Sequence, residues 1–136
     1  MKYINAYLIF NGNCREAMEF YAKSLGAKLE MMKFSEAPGT PKEAGDRIIH
    51  AKLTKGDGIL MASDNMPGMP FSQGNSCHVS VQCDSQKEIE DYYAAFSAKG
   101  KVTMPLQEMF WNAKFAMLVD QFGVGWMFNY ELPKKG

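Results

Sequence analysis

The chain has 136 residues, 46% hydrophobic and 22% charged, which suits one compact domain with a real core and excludes a second independent domain. Its 15 basic residues cancel its 15 acidic ones, and no Lys/Arg run makes a local patch. Nucleic acid and anionic membrane surfaces are therefore excluded as partners.

The opening MKYINAYLIF is apolar, but it is interrupted by Asn5 and Tyr7 and has no small-residue cleavage site. It predicts a strand rather than a leader or an anchor, and a cytoplasmic protein. Over Lys2 to Phe10, Ile4, Ala6, Leu8 and Phe10 share one face, and Tyr3, Asn5, Tyr7 and Ile9 share the other. A helix follows NGN, with Asn13 as its cap, Glu16 in the capping-box position and Gly26 as its stop. Its apolar stripe is Ala17, Met18, Phe20, Tyr21 and Leu25. Strands are expected at Ala27 to Phe34 and at Arg47 to Thr54. The intervening SEAPGTPKEAGD is too rich in Pro and Gly for regular structure. A turn over Lys55 to Gly58 leads to a strand from Ile59 to Ser63.

The Pro-, Gly- and Met-rich stretch 65–75 is a linker, after which the same order returns. Ser76 to Asp84 alternates strictly, with Cys77, Val79, Val81 and Cys83 on one face and Ser76, His78, Ser80 and Gln82 on the other. Ser85 with Glu88 is a second capping box, and Ile89, Tyr92, Tyr93 and Phe96 mark the face of a helix that ends at Gly100. Strands at Val102 to Glu108, Ala113 to Val119 and Val124 to Glu131 complete the pattern, and 132–136 is a tail. Gly26 and Gly100 lie about half the chain apart, the spacing of an internal duplication. The expected fold class is α+β: two paired βαβββ modules, about 1–64 and 76–131, forming a curved mixed-sheet cup with the helices outside. Alternation then turns Asn5, Tyr7, His78, Ser80 and Gln82 into the cup, where polar groups imply a ligand or water.

The three cysteines, Cys14, Cys77 and Cys83, have no CxxC spacing. Cys77 and Cys83 read as small buried hydrophobes. Cys14, at a helix start, is either a thiol of lowered pKa or an unreactive packed one.

FNGNCREAMEFY at 10–21, the LGAKL after it, IIHAKLTKGDGILMASD at 48–64 and FWNAKFAMLVDQFGVGWMFNY at 110–130 resemble the PhnB-like branch of the vicinal oxygen chelate superfamily. That superfamily includes glyoxalase, bleomycin-resistance and extradiol dioxygenase proteins. The resemblance implies paired βαβββ modules in a homodimer. It also implies a divalent metal held by His, Glu or Gln from the first and last strands of each module, at positions corresponding to Asn5, Met61, His78 and Met127. Of these only His78 keeps a usual ligand type. Both carboxylate positions are methionine, a poor donor for zinc, nickel, magnesium or manganese, so the metal is disfavoured. Some members of the branch are labelled demethylubiquinone methyltransferase-like, but no glycine-rich turn here follows a strand and opens a helix as a methyl-donor nucleotide site would require.

His50 shares a strand face with Ile48 and Lys52. It can act with His78 as an acid/base pair, or with Lys52 as a hook for an anionic ligand, or serve as a structural histidine. Phe110 and Trp111 open a loop that can wall the pocket. The expected function is binding of a small molecule by Asn5, Tyr7, His50, His78, Ser80, Gln82 and Trp111, without the usual metal centre. The alternative is a metal-dependent lyase, isomerase or dioxygenase of the glyoxalase type working through His78 and His50.

Overall fold

The computed structural model describes residues 1–134. They form two compact units, Met1–Ser72 and a second beginning at Gln73. The tail expected at 132–136 therefore lies partly outside the described residues.

The first unit runs β1 (Tyr7–Phe10), α1 (Cys14–Leu25), β2 (Lys28–Lys33), β3 (Ile48–Lys55) and β4 (Gly58–Asp64). Its four strands make one mixed sheet in the order β1-β4-β3-β2, with β1 parallel to β4 and the other pairs antiparallel. The second unit runs β5 (His78–Gln82), α2 (Gln86–Ser97), β6 (Lys101–Met109), β7 (Ala113–Val119) and β8 (Gly125–Glu131). Its order, β5-β8-β7-β6 with β5 parallel to β8, repeats the first. The duplicated βαβββ plan and the α+β class are thus both present.

In each unit the helix covers one face of its own sheet. Met18, Tyr21 and Leu25 of α1 are buried, as are Phe10, Ala51, Leu53, Leu60 and Ala62 of its sheet. In the second unit Phe96 of α2 meets Trp126 and Phe128 edge to face, with centroids 4.7 Å and 5.2 Å apart. Aromatic pairs in this geometry add to simple area burial.

The two helices begin differently. Ser85 caps α2 as the capping box predicts: its Oγ accepts from Glu88 N at 3.1 Å, and Glu88 Oε1 accepts from Asp84 N at 3.1 Å. Asn13 makes no side-chain cap on α1. The acceptor there is Asp64, which ends β4: its Oδ1 takes the amides of Gly12 and Cys14, each at 2.9 Å, while Oδ2 takes the amide of Ile48 at 2.9 Å. A buried carboxylate is a stronger acceptor than an asparagine amide. At the C-terminus of α1, Gly26 takes the left-handed conformation, φ 65°, as expected of a helix stop, whereas α2 ends at Ser97, ahead of Gly100.

Several boundaries differ from expectation. The first strand starts at Tyr7, not Lys2, and Ile4 is exposed rather than on a core face. Among the described residues β1 pairs with β4 alone, and that pairing begins where β4 reaches Met61. The segment after β2 holds two single 3₁₀ turns, Phe34–Glu36 and Lys42–Ala44, the first closed by Thr40 Oγ1 donating to Phe34 O at 2.6 Å. Ile48 does not share the face of His50. The β2–β3 register skips Ile49, a bulge that turns Ile48 inward beside Ala51 and Leu53. β5 starts at His78, leaving Cys77 exposed, whereas Cys83 is buried as expected.

Asp64→Asn places an N–H donor where backbone donors converge. It should lower stability by about 2–4 kcal/mol, read as a reduced urea midpoint with unchanged slope. The Cys14 thiol is pushed from an ordinary 9.0 up to about 12, first by burial and then by the neighbouring Asp64 charge, with Arg15 acting weakly the other way. The unfolded thiol ionises first, so the unfolded chain holds fewer protons across that interval, and stability is lost as pH rises through it. The stability of wild type relative to Cys14→Ala should therefore be constant below about pH 9 and fall steadily towards pH 12. In native protein a thiol reagent should modify Cys77, with Cys14 and Cys83 reacting only on unfolding.

Candidate functional site

Each sheet has a second face, away from its own helix, and the side chains on it follow from register. In the first unit one transverse row reads Tyr7, Met61, Lys52 and Glu30 from β1 to β2. His50 lies one step along β3 from Lys52 on this face and is exposed. Tyr7 Oη approaches His50 Nδ1 to 3.0 Å, and the two rings stand 5.7 Å apart. The hydroxyl donates when Nδ1 carries no proton, which fixes the other tautomer and leaves Nε2 as a donor. Asn5 lies before β1, and its Nδ2 is buried without an acceptor among the described residues.

In the second unit the matching row reads Ser80, Met127, Met117 and Met104 from β5 to β6. Tyr7 pairs with Met61 as Ser80 pairs with Met127, so the duplicated methionines occupy equivalent places. The next row begins Gln82, Asn129, Phe115 and Gln107. Asn129 Nδ2 donates to Gln82 Oε1 at 3.0 Å, and its Oδ1 accepts from Trp111 Nε1 at 3.2 Å. Trp111, itself exposed, is held edge to face by Phe110 and Phe115.

His78 pairs in register with Gly125. A Cβ on Gly125 would come within 2.7 Å of His78 Cδ2 and 2.9 Å of Nε2. The imidazole therefore lies across the β8 backbone, and glycine at 125 is what admits it.

The structure thus joins Tyr7 to His50 in the first unit. It joins Gln82 to Trp111 in the second, through Asn129, which sequence reasoning missed. The alternation NY after the VGWM run placed Asn129 on the Met127 face, and that signal could have found it. His50 belongs to the first unit and His78 to the second, and Ser80 is exposed beside Met127 in register.

The donor set does not fit the metal centre that the superfamily resemblance implies. Among the described residues no three of His, Cys, Asp or Glu gather into a metal-sized group. Asp64 is fully engaged by three backbone amides. The equivalent strand positions Met61 and Met127 offer only thioethers, soft ligands unsuited to hard divalent ions. At the helix N-termini Asp64 takes the Cys14 amide of α1 and Ser85 Oγ takes the Glu88 amide of α2. No helix among the described residues is long and apolar enough to cross a membrane.

The family model described as 3-demethylubiquinone-9 3-methyltransferase matches residues 2–128. Protein YjdN of Escherichia coli strain K12 is 31% identical over 140 aligned residues, 93% of each chain. The crystal structure of protein PA1353 from Pseudomonas aeruginosa is similar with a TM-score of 0.89 at 44% identity, covering 98% of this chain and 100% of that one. That of a PhnB protein from Bacillus cereus, described as a putative 3-demethylubiquinone-9 3-methyltransferase, gives 0.76 at 26% identity, over 95% and 99%. The fosfomycin resistance protein FosX from Mesorhizobium loti shares the fold, with a TM-score of 0.62 at 8% identity over 96% and 92%. With nearly its whole length inside the family model and the duplicated βαβββ topology in place, and with a fold shared with a glyoxalase/bleomycin resistance/dioxygenase family enzyme from Burkholderia phytofirmans PsJN (TM-score 0.61 at 15% identity, over 94% of this chain and 98% of that one), the chain belongs to the PhnB-like 3-demethylubiquinone-9 3-methyltransferase family.

Proposed function

We propose that the protein binds a small organic molecule on the helix-free faces of its two sheets, as a single cup-forming domain that works as a cytoplasmic homodimer. In this reading the usual superfamily metal takes no part. The observation that supports it best is the composition of those faces. They carry hydrogen-bonding groups, Tyr7 with His50 and Gln82 with Asn129 and Trp111, beside methionines at the duplicated positions. Methionine is a flexible, polarisable lining that adapts to apolar ligands, and small-molecule sites combine such a lining with a few placed polar groups. The exposed Ile9, Met32 and Trp111 are also the kind of apolar surface a ligand or a second protomer covers.

The residues assigned to binding are Asn5, Tyr7, His50, His78, Ser80, Gln82 and Trp111. Trp111 and Gln82, both fixed through Asn129, present an aromatic edge and an amide at one end of the second face. His78, laid across Gly125, presents an imidazole at the other. The methyltransferase name belongs to the family model, and no methyl-donor step is derived for this chain. The competing reading is a glyoxalase-type metal enzyme working at His78.

Native mass spectrometry of freshly purified full chain should show a dimer without a stoichiometric divalent metal. A retained organic adduct, or saturable binding of an aromatic probe such as naphthol, should survive His78→Ala with less than about tenfold loss, since one hydrogen bond contributes no more than that. One metal per subunit, lost together with turnover in His78→Ala, would overturn the proposal in favour of the enzyme.

A further inference from the structure

The first-unit face carries more unanswered hydrogen-bond donors than a neutral ligand would need. Lys52 is half-buried in the middle of its sheet, flanked in register by Met61 and Glu30. Among the described residues no carboxylate pairs with it: Glu30, the nearest in register, is instead bridged to Lys28 at 3.6 Å. A lysine can bury its stem along a sheet while its ammonium stays at the surface, where it is open to an anion. Asn5 adds a second donor in deficit, a buried Nδ2 with no acceptor among the described residues, and buried polar groups are rarely left so. His50 supplies a third in the tautomer in which Tyr7 Oη donates to Nδ1 across their 3.0 Å contact, since Nε2 then carries the proton.

These groups share one side of the sheet. Lys52 and His50 are two residues apart on β3, and residues so spaced point the same way. Tyr7 is in the row of Lys52 and reaches over β4 to His50. Asn5 continues the alternation of Tyr7, and the ladder extends to its neighbour, since Met61 N donates to Ala6 O at 3.4 Å. Lys52 and the Asn5 amide are donors, the Tyr7–His50 pair donates through Nε2 when Tyr7 donates to Nδ1, and Glu30, bridged to Lys28, is the acid in the row.

From this we infer that the first-unit face is an oxyanion subsite. Lys52 neutralises a carboxylate or phosphoryl group of the ligand, while Asn5 and the Tyr7–His50 pair hydrogen-bond its oxygens. The inference rests on the small-molecule reading above and places the ligand's anionic group on the unit carrying Lys52. The matching row of the second unit, Ser80, Met127, Met117 and Met104, holds no cation.

The test is a titration of the full-length protein, labelled with ¹⁵N, with benzoate, phenylphosphonate and the neutral benzyl alcohol, following backbone amide shifts. Benzoate or phenylphosphonate should give saturable shifts at residues 5–7, 50–52 and 61. The affinity should fall at least tenfold in Lys52→Met and return in Lys52→Arg. Whichever anion binds more tightly identifies the group as carboxylate or phosphoryl. Equal affinity in Lys52→Met, shifts confined to other lysines, or no saturable shift with either anion would overturn the inference. Benzyl alcohol binding at these residues as well as the anions would also overturn it while leaving the small-molecule reading intact. Native mass spectrometry judges that reading separately.

Discussion

The first unit depends on one carboxylate. Asp64 closes β4, and its two oxygens bind the amides of Gly12, Cys14 and Ile48. These amides lie at the end of the β1 connection, the start of α1 and the start of β3. An acidic group at a helix N-terminus is favoured by the helix dipole, and here it also satisfies the first amide of β3, one residue before the bulge at Ile49. Because β4 is the strand between β1 and β3, fixing its end sets how both neighbours emerge and therefore which side chains reach the helix-free face. The same carboxylate, after burial, helps to hold the Cys14 thiol neutral. A position that looks like a reactive helix-start cysteine is a packing position as a result.

The second unit repeats the topology but not this device. Its helix is started locally by Ser85 and Glu88. Its buried carboxylate, Asp120, lies instead in the β7–β8 turn, taking the amides of Phe122 and Val124 at 2.8 Å and 3.0 Å and the indole of Trp126 at 2.8 Å. That last bond anchors the largest buried side chain of the chain and with it the first turn of β8, where Gly125 gives room to His78. Two copies of one fold have thus been stabilised by acids at different corners, each set beside a residue that shapes the open face.

What could be read from the sequence follows from the range of the interaction involved. The capping box at Ser85, the stop at Gly26 and the alternation of β5 and β8 are encoded within a few residues, and all appear in the structure. The cap of α1 is not local: Asp64 lies 50 residues beyond Cys14, so the nearby Asn13 drew the assignment. The start of β1 depends on where β4 offers a partner, which no periodicity within 2–10 reveals. Ile48 keeps perfect alternation in sequence, and only pairing with β2 discloses the skipped Ile49 that turns it inward. The open faces were legible for a related reason: alternation identified Tyr7, His50, Ser80 and Gln82. It could not show that Tyr7 and His50 touch, or that Asn129 ties Gln82 to Trp111, because these contacts cross strands whose register the sequence leaves open.

The duplicated rows also show how the copies have diverged. Tyr7, Met61, Lys52 and Glu30 in one unit correspond by topology to Ser80, Met127, Met117 and Met104 in the other. Only the methionine beside the parallel strand is common to both. Had the two rows been kept for a symmetric purpose, such as matched ligands to one ion, hard donors would be expected at equivalent places. Instead one row carries charge and the other thioethers, while the hydrophobic faces beneath them serve the same packing against α1 and α2. Packing constrains the buried face in both copies alike, so the difference has collected on the face that packing leaves free. The two rows are thus unlike in chemistry, one suited to negative charge and the other to apolar, polarisable groups.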